Sequence, residues 1–125
     1  MDVLDNEYVK IELVNGVIEA EYKPIYIDLE VAKKVLTFRN QFTQGKNLPM
    51  LLNGIGVKGI DKEARDFFSE PQGSSGLTAT AILVNSRLDT FFANFLIKVN
   101  ISKSNIPLKL FTEKAEALKW LENYK

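Results

Sequence analysis

Two runs of alternating apolar and polar residues open the chain, and only two residues separate them. Val9, Ile11 and Leu13 alternate with charged residues in YVKIELV, and the alternation resumes in VIEAEY. A period of two residues is typical of a strand with one buried face. The intervening Asn15-Gly16 pair favours a two-residue turn in which both residues have positive φ. The segment therefore predicts an antiparallel pair of strands.

A helix is predicted after this hairpin, from the capping residue Asp28 to about Gln44. Its apolar residues recur at three- and four-residue steps and form one stripe: Val31, Val35, Phe38 and Phe42. Gly45 follows at a position where glycine commonly ends a helix. The start signal, the stripe and the stop signal therefore predict the same helix.

Three strand–helix units follow. Two of their predicted strands, LPMLL and LTATAILV, are apolar runs of the kind that helices cover on both faces, and IPLKLF is the last strand. Asp61 is the predicted cap of the helix after the first of these strands. The segment SRLDTFFANFLIKVN is the predicted helix after the second, and Thr112 is the predicted cap of the last helix. Strands that alternate with helices pair in parallel through right-handed crossovers. We therefore predict an α/β fold with one mixed sheet of about five strands, about four helices and a single domain over residues 1–125.

The composition argues against several classes of protein. Sixteen basic and sixteen acidic residues give no net charge, whereas a nucleic-acid-binding protein needs an excess of Lys and Arg. The chain contains no cysteine and no histidine, which removes disulfides, thiol chemistry, the commonest general base and the commonest zinc ligand. We therefore expect no nucleic-acid partner, no metal site and no cofactor.

The sequence carries no sign of a membrane or secreted protein. Its first residues, MDVLDNEYVK, are acidic rather than basic and contain no apolar core of a signal peptide. No uninterrupted apolar stretch is long enough to span a bilayer. We expect a cytoplasmic protein that is not integral to a membrane.

A G-x-G-x-x-G pattern, made by Gly54, Gly56 and Gly59, lies in LLNGIGVKGIDKEARDFF. In a dinucleotide-binding fold the helix begins within this pattern, so that its free amides meet a pyrophosphate. Here Asp61 is the predicted cap, so the helix starts after all three glycines. Its carboxylate would also occupy the place of the phosphate. The pattern therefore favours ordinary backbone geometry over a cofactor site.

A second test of the cofactor hypothesis gives the same answer. The acid that contacts a ribose should follow the next strand, yet that strand ends at Val84-Asn85 and the next acid is Asp89. The loop still follows a central strand, at the edge where α/β sheets commonly bind ligands. We therefore name a candidate ligand loop, which consists of Asn53, Gly54, Gly56, Lys58, Gly59, Asp61 and Arg65.

Three acidic residues crowd the start of the helix after this loop: Asp61, Glu63 and Asp66. Paired carboxylates can perform acid–base chemistry or bind magnesium. Acids in a first turn also stabilise a helix through its macrodipole. We favour this structural role and predict no catalytic residue.

The segment SRLDTFFANFLIKVN has more apolar residues than a helix with one buried face needs. Its candidate interaction face consists of Phe91, Phe92, Phe95 and Leu96. Three interpretations remain open, in order of preference: burial within the domain, burial against a second copy, and a roof over a groove for an apolar, lipid-like ligand.

Three further segments, KEARDFF, TATAILVNS and FTEKAEALKWL, occur in this order along the chain. Together with the leading hairpin and the alternating helices and strands, they resemble the SpoIIAA-like small bacterial domains of the STAS/SEC14 type. The similarity is greatest to short uncharacterised members and covers nearly the whole chain. It implies a mixed sheet of about five strands, with helices largely on one face.

The resemblance also raises the question of a phosphorylation switch. In the anti-sigma-factor antagonists of this superfamily, a Ser or Thr opens the helix after the third strand, and its phosphorylation breaks a protein complex. The matching residues here are Asp61, Lys62 and Glu63, none of which carries a hydroxyl. The resemblance therefore does not extend a switch to this position. We interpret Ser74 and Ser75, which come later, as turn residues.

The sequence as a whole indicates a non-enzymatic binding or protein-interaction module that associates with itself or with another protein. The alternatives are a small carrier of an apolar ligand and, less favoured, an enzyme that uses the cluster at residues 61–66. A carrier should enclose a cavity lined by Phe91, Phe92 or Phe95. An interaction module should bury these rings between chains.

Overall fold

The computed structural model describes residues 3–70, 73, 75–84 and 106–125. The strands are β1 (Val3–Asp5), β2 (Val9–Val14), β3 (Val17–Tyr22), β4 (Tyr26–Ile27), β5 (Leu48–Asn53), β6 (Gly59–Ile60), β7 (Leu77–Leu83) and β8 (Leu108–Phe111). The helices are α1 (Leu29–Thr43), α2 (Lys62–Ser69) and α3 (Lys114–Leu121), which a 3-10 turn (Glu122–Tyr124) follows. Six strands form the main sheet in the order β1-β2-β3-β5-β7-β8, and β4 pairs with β6 in a small second sheet. The predicted mixed α/β sheet is therefore confirmed.

The hairpin of β2 and β3 forms as predicted. The two strands are antiparallel, and Val14 pairs with Val17 directly beside the turn. The turn residues Asn15 and Gly16 have φ values of 51° and 81°, which is the geometry that favours an Asn-Gly pair. The additional strand β1 pairs antiparallel with β2 and forms one edge of the main sheet. A strand of this length is too short to produce a periodic pattern, so the sequence did not predict it.

The strands β3, β5, β7 and β8 are parallel, and each lies next to the one before it. The crossovers through α1 and α2 therefore advance across the sheet in one direction, which places both helices on the same face. Val35 of α1 packs on this face against the sheet residues Ile18 and Met50. On the opposite face, Ala117 and Leu121 of α3 pack against strand residues of a separate core cluster: Val17, Leu51, Ala79 and Ala81. Among the described helices, two thus lie on one side of the sheet and one lies on the other.

Helix α1 begins and ends at the predicted residues. The Asp28 carboxylate accepts a hydrogen bond from the Val31 amide at 2.8 Å, and left-handed residues Gln44 and Gly45 end the helix. Its burial differs from the single predicted stripe. Val31, Val35 and Phe42 pack towards the sheet, whereas Ala32 and Leu36 are buried against α2 residues Ala64 and Phe67. The helix has two apolar faces because α2 covers it from a second direction.

The small sheet of β4 and β6 joins the segments that precede α1 and α2. Tyr26 pairs with Gly59 and Ile27 pairs with Ile60 in a parallel register. Ile27 is fully buried between the two helices. Strands of two residues leave no pattern in a sequence, but this pair fixes where both helices begin.

The start of α3 differs from the prediction. Its N-cap residue is Glu113 rather than Thr112, and no side chain caps the helix. The Val84 amide donates a hydrogen bond to the Phe111 carbonyl at 2.8 Å, so the pairing of β8 continues to its last residue. Thr112 and Glu113 are then needed for the turn onto the opposite face of the sheet, and the helix starts one residue later than predicted.

The buried residue Arg39 connects α1 to two residues that follow α2. It belongs to α1, and its Nη2 donates to the carbonyl oxygens of Gly73 and Ser75, each at 3.0 Å. Gly73 lies directly against the backbone of α2, where an added Cβ would collide with the Phe67 oxygen. Burial lowers the pKa of the Arg39 guanidinium. An arginine within a helix is usually exposed, so sequence patterns alone did not identify this contact.

The predicted helix in SRLDTFFANFLIKVN, with Phe91, Phe92, Phe95 and Leu96, lies outside the described residues. Within the described ranges, no helix combines the length and the apolar character that crossing a membrane requires.

Candidate functional site

The candidate ligand loop connects β5 to β6. It follows the carboxyl end of β5, which has parallel neighbours on both sides. The Asn53 side chain accepts a hydrogen bond from the Ile55 amide at 3.0 Å, and the Val57 amide donates to the Gly54 oxygen at 3.1 Å. The Lys58 amide donates to the Ile25 oxygen at 2.9 Å. The loop is therefore a tight turn at the edge where α/β sheets commonly bind ligands.

Two glycines of the loop differ in what the structure requires of them. In the described residues the glycines with positive φ are Gly16, Gly45 and Gly76, so the loop glycines do not adopt that conformation. A Cβ on Gly56 would meet no atom within 4 Å. A Cβ on Gly59 would lie 3.0 Å from two ring atoms of Tyr26. The close approach of a neighbouring ring therefore explains the glycine at position 59 but not the glycine at position 56.

The helix after the loop starts where the sequence predicted. Asp61 is the N-cap of α2, and its carboxylate accepts a hydrogen bond from the Ala64 amide at 2.9 Å. This bond uses an amide of the first turn that a bound phosphate would otherwise need. The glycine pattern thus precedes the helix entirely, unlike a dinucleotide-binding turn.

Three other charged residues at the start of α2 also make bonds to neighbouring groups: Lys62, Arg65 and Asp66. Arg65 Nη1 donates to the Ile60 oxygen at 3.3 Å. Lys62 Nζ lies 3.1 Å from Asp66 Oδ2 in an exposed pair one helical turn apart. Such bonds stabilise an exposed helix and do not depend on a ligand. The assignment of the loop as a ligand site stays a prediction.

A groove of about 180 Å³ lies on the sheet face that carries α3. Its charged side chains come from β2, from β3 and from the first residue of α3, and we call it the charged groove: Lys10, Glu12, Glu19, Glu21 and Lys114. Asn53 and Leu83, at the carboxyl ends of β5 and β7, also line it. Asn53 thus joins the charged groove to the candidate ligand loop.

The register of β2 and β3 determines how these charges face each other. Glu12 lies directly opposite Glu19, and Lys10 lies directly opposite Glu21. Two carboxylates at facing positions repel each other, whereas Lys10 and Glu21 attract. A cation near the like-charged pair would reduce this repulsion.

Lys114 supplies such a cation. Its Nζ lies 2.9 Å from Glu19 Oε1, and the Glu19 side chain is only 19% exposed. Lys114 is the first residue of α3, where the helix macrodipole disfavours a positive charge. The ion pair with Glu19 offsets this unfavourable position and connects α3 to the sheet. On the other side, Lys10 Nζ lies 3.5 Å from Glu12 Oε1.

The sequence pattern of β2 and β3 marks the four charged strand residues of the groove only as polar positions opposite the apolar face. The alternation places all four on one face of the sheet, so the sequence indicates part of the groove: Lys10, Glu12, Glu19 and Glu21. Lys114 approaches from the far end of the chain, and no local pattern indicated it. Within the described residues, no group of three or more acidic side chains has the geometry of a metal site.

The fold is similar to that of a solved structure from Shewanella loihica PV-4, an uncharacterized protein of the DUF3478 family with a SpoIIAA-like fold. The two share 16% sequence identity with a TM-score of 0.65, over 94% of this chain and 98% of that chain. At this identity the similarity concerns the fold alone, and it confirms the expected SpoIIAA-like architecture. No curated protein matches the sequence. The family model of DUF7793, a domain of unknown function, matches residues 11–125. The chain therefore belongs to the DUF7793 family and has a SpoIIAA-like fold.

Proposed function

We propose that the chain is a binding or protein-interaction module that performs no chemical step on its partner. The observation that carries this proposal is the 2.9 Å hydrogen bond from the Ala64 amide to the Asp61 carboxylate. Asp61 would be the leading acid–base candidate of its cluster, yet its carboxylate serves as a helix cap. Asp66 is paired with Lys62 in the same helix. These bonds give the cluster a structural purpose and leave the enzyme hypothesis without specific support.

Exposed apolar side chains beside the candidate ligand loop also support a binding role. Tyr26 is 55% exposed and Ile55 is 43% exposed. The Tyr26 ring lies against the backbone at Gly59, which limits its freedom in the unbound state. An exposed aromatic side chain that is already ordered loses little entropy on binding, which is why such residues are common in protein interfaces.

Self-association is part of the proposal and rests on the sequence. The candidate interaction face of Phe91, Phe92, Phe95 and Leu96 exceeds what one buried helix face needs. Replacing Phe92 and Phe95 with Ser should lower the proportion of oligomer while the far-UV circular dichroism stays native. Substituting Lys119 with Ser, on an exposed side of α3, is the matched control. A wild-type protein that is monomeric at high concentration would contradict self-association.

Native mass spectrometry of the purified protein tests the function as a whole, because it reports stoichiometry and retained ligands together. A binding module should appear as an oligomer, with a protein partner or with a small ligand. A retained lipid would instead support the carrier of an apolar ligand. The charged groove gives that alternative no support, since ionised side chains line it. Turnover of a substrate that is lost in Asp61→Asn, a substitution that preserves the cap, would overturn the proposal.

A further inference from the structure

We propose that the charged groove binds a small zwitterion, a molecule with one ammonium and one carboxylate group, between Glu19 and Lys114. This inference rests on the proposed binding function and names a ligand class for it. Three observations support it: the location of the groove, its volume, and the way its charges are paired.

The location is the usual one for a ligand in a sheet of this kind. Asn53 and Leu83 line the groove at the carboxyl ends of the adjacent parallel strands β5 and β7. Ligands of open α/β sheets commonly bind outside the carboxyl ends of parallel strands. The N-terminus of α3, whose first turn no side chain caps, lies beside the groove through Lys114. The positive end of the helix macrodipole therefore supplements the Lys114 charge.

The volume suits a small ligand. The groove has a volume of about 180 Å³, whereas pockets for cofactors and drug-sized molecules occupy ~300–1,000 Å³. A molecule of the size of a free amino acid therefore fits within the groove.

The pairing of charges selects a zwitterion over a simple ion. A carboxylate that displaced Glu19 from Lys114 would leave Glu19, at 19% exposure, without its cation and opposite Glu12. A partly buried charge that loses its partner is costly. An ammonium ion that displaced Lys114 would cost less, because Lys114 is 56% exposed and water solvates it. A zwitterion placed between the two residues gives each side chain a new partner of opposite charge.

This exchange predicts a ranking of ligands. A molecule with both charges should bind best, an amine alone more weakly, and a carboxylate alone most weakly. L-Alanine, ethylamine and propionate form a matched set, because each analogue lacks one charged group of the amino acid. Amide chemical shifts in the ¹⁵N-labelled full-length chain would report binding, at Glu19 in β3 and over the first turn of α3.

The expected result is a saturable shift with L-alanine and at least a five-fold weaker affinity for each analogue. Lys114→Met and Glu19→Gln should each weaken L-alanine binding at least ten-fold. Lys119→Met, an exposed position on the same helix, should leave binding unchanged. The comparison of the three compounds uses the wild-type protein, so it remains decisive if a variant fails to fold.

Two results would overturn the inference: no saturable shift with L-alanine, or equal affinity for all three compounds. Either result leaves the proposed binding function standing if native mass spectrometry finds an oligomer or a protein partner. Conversely, L-alanine binding in a protein that stays monomeric would support the groove and remove self-association.

Discussion

The amide of Asp61 donates a hydrogen bond to the carbonyl oxygen of Ile27 at 3.1 Å. This bond extends the short parallel ladder in which Ile27 pairs with Ile60. Asp28 and Asp61 are therefore neighbours, and each caps the helix that follows it. The start of α1 and the start of α2 are thus held together at the carboxyl edge of the main sheet, next to the candidate ligand loop.

The cap at Asp61 can be tested by its contribution to stability. Asp61→Ala should lower the free energy of unfolding by about 1 kcal/mol, because the Ala64 amide loses its acceptor. Asp61→Asn should retain most of the stability, since asparagine caps helices equally well. Asp28→Ala, which removes the equivalent cap from α1, is the matched control and should cost a similar amount. Urea denaturation measures all three.

An Asp61→Ala protein as stable as the wild type would contradict the structural role of this carboxylate. The residue would then be available for a ligand, and the argument against a catalytic cluster would lose its main support.

The glycines of the candidate ligand loop should respond differently to substitution. Gly56→Ala should be neutral or raise the stability by up to about 1 kcal/mol, because the site is open and alanine restricts the unfolded chain. Gly59→Ala should be destabilising by a similar amount, since its Cβ would meet the Tyr26 ring at 3.0 Å. The cost should shrink in a Tyr26→Ser background, which removes the ring. Thermal unfolding of the wild type, Gly59→Ala, Tyr26→Ser and the double variant would show whether that ring contact or the backbone requires Gly59.

Local signals were sufficient for most of the fold. Asn15-Gly16 predicted the hairpin, and Asp28 and Asp61 predicted two helix starts, because each feature depends on a few neighbouring residues. Thr112 was wrong as a cap because the end of β8 is set by its pairing with β7. Arg39 was missed for the same kind of reason: its burial depends on the distant loop at Gly73.

The candidate site was less accessible to sequence reasoning. The alternation in β2 and β3 indicated that Glu12 and Glu19 face outward, but not that they face each other. Their register follows from the hairpin turn, and a one-residue change would reverse every side chain. The contact between Glu19 and Lys114 depends on where α3 crosses the sheet, which is a property of the whole fold.

Tyr22 should make the protein less stable at high pH. Burial raises the pKa of Tyr22 from 10.0 to about 12. Between these values the unfolded chain gives up the phenolic proton while the folded protein keeps it. The contribution of protonated Tyr22 to the free energy of unfolding is therefore complete below pH 10 and is lost as the pH rises through 12. The loss in the free energy of unfolding should be on the order of 3 kcal/mol at most, at ~1.4 kcal/mol for each pH unit.

Urea denaturation of Tyr22→Phe and the wild type, at a pH below 10 and at a pH near 12, would measure this contribution. The variant should gain in stability relative to the wild type at the higher pH, because phenylalanine has no proton to lose. Tyr26→Phe is the control, since Tyr26 is 55% exposed. The same pH dependence in both variants would show that burial of Tyr22 is not the cause.

The facing carboxylates of the charged groove should respond to single substitutions in opposite ways. Glu12→Gln should raise the free energy of unfolding by a few tenths of a kcal/mol, because relief of the repulsion from Glu19 should outweigh the loss of the exposed 3.5 Å pair with Lys10. Glu21→Gln is the matched control and should lower the stability slightly, since Glu21 lies opposite Lys10. Both effects should shrink at high salt, which screens exposed charges.

Lys114 should determine how much Glu12→Gln raises the free energy of unfolding. Lys114→Met removes the ion pair with Glu19 and should lower the free energy of unfolding by about 1–3 kcal/mol, because the Glu19 carboxylate, at 19% exposure, loses its cation. In this background the Glu19 charge is no longer compensated, so the gain from Glu12→Gln should be larger than in the wild type. A double-mutant cycle by urea denaturation measures this coupling. Two results would mean that the facing carboxylates do not interact because water already screens their repulsion. One is that the effects of Lys114→Met and Glu12→Gln are independent. The other is that Glu21→Gln raises the stability as much as Glu12→Gln does.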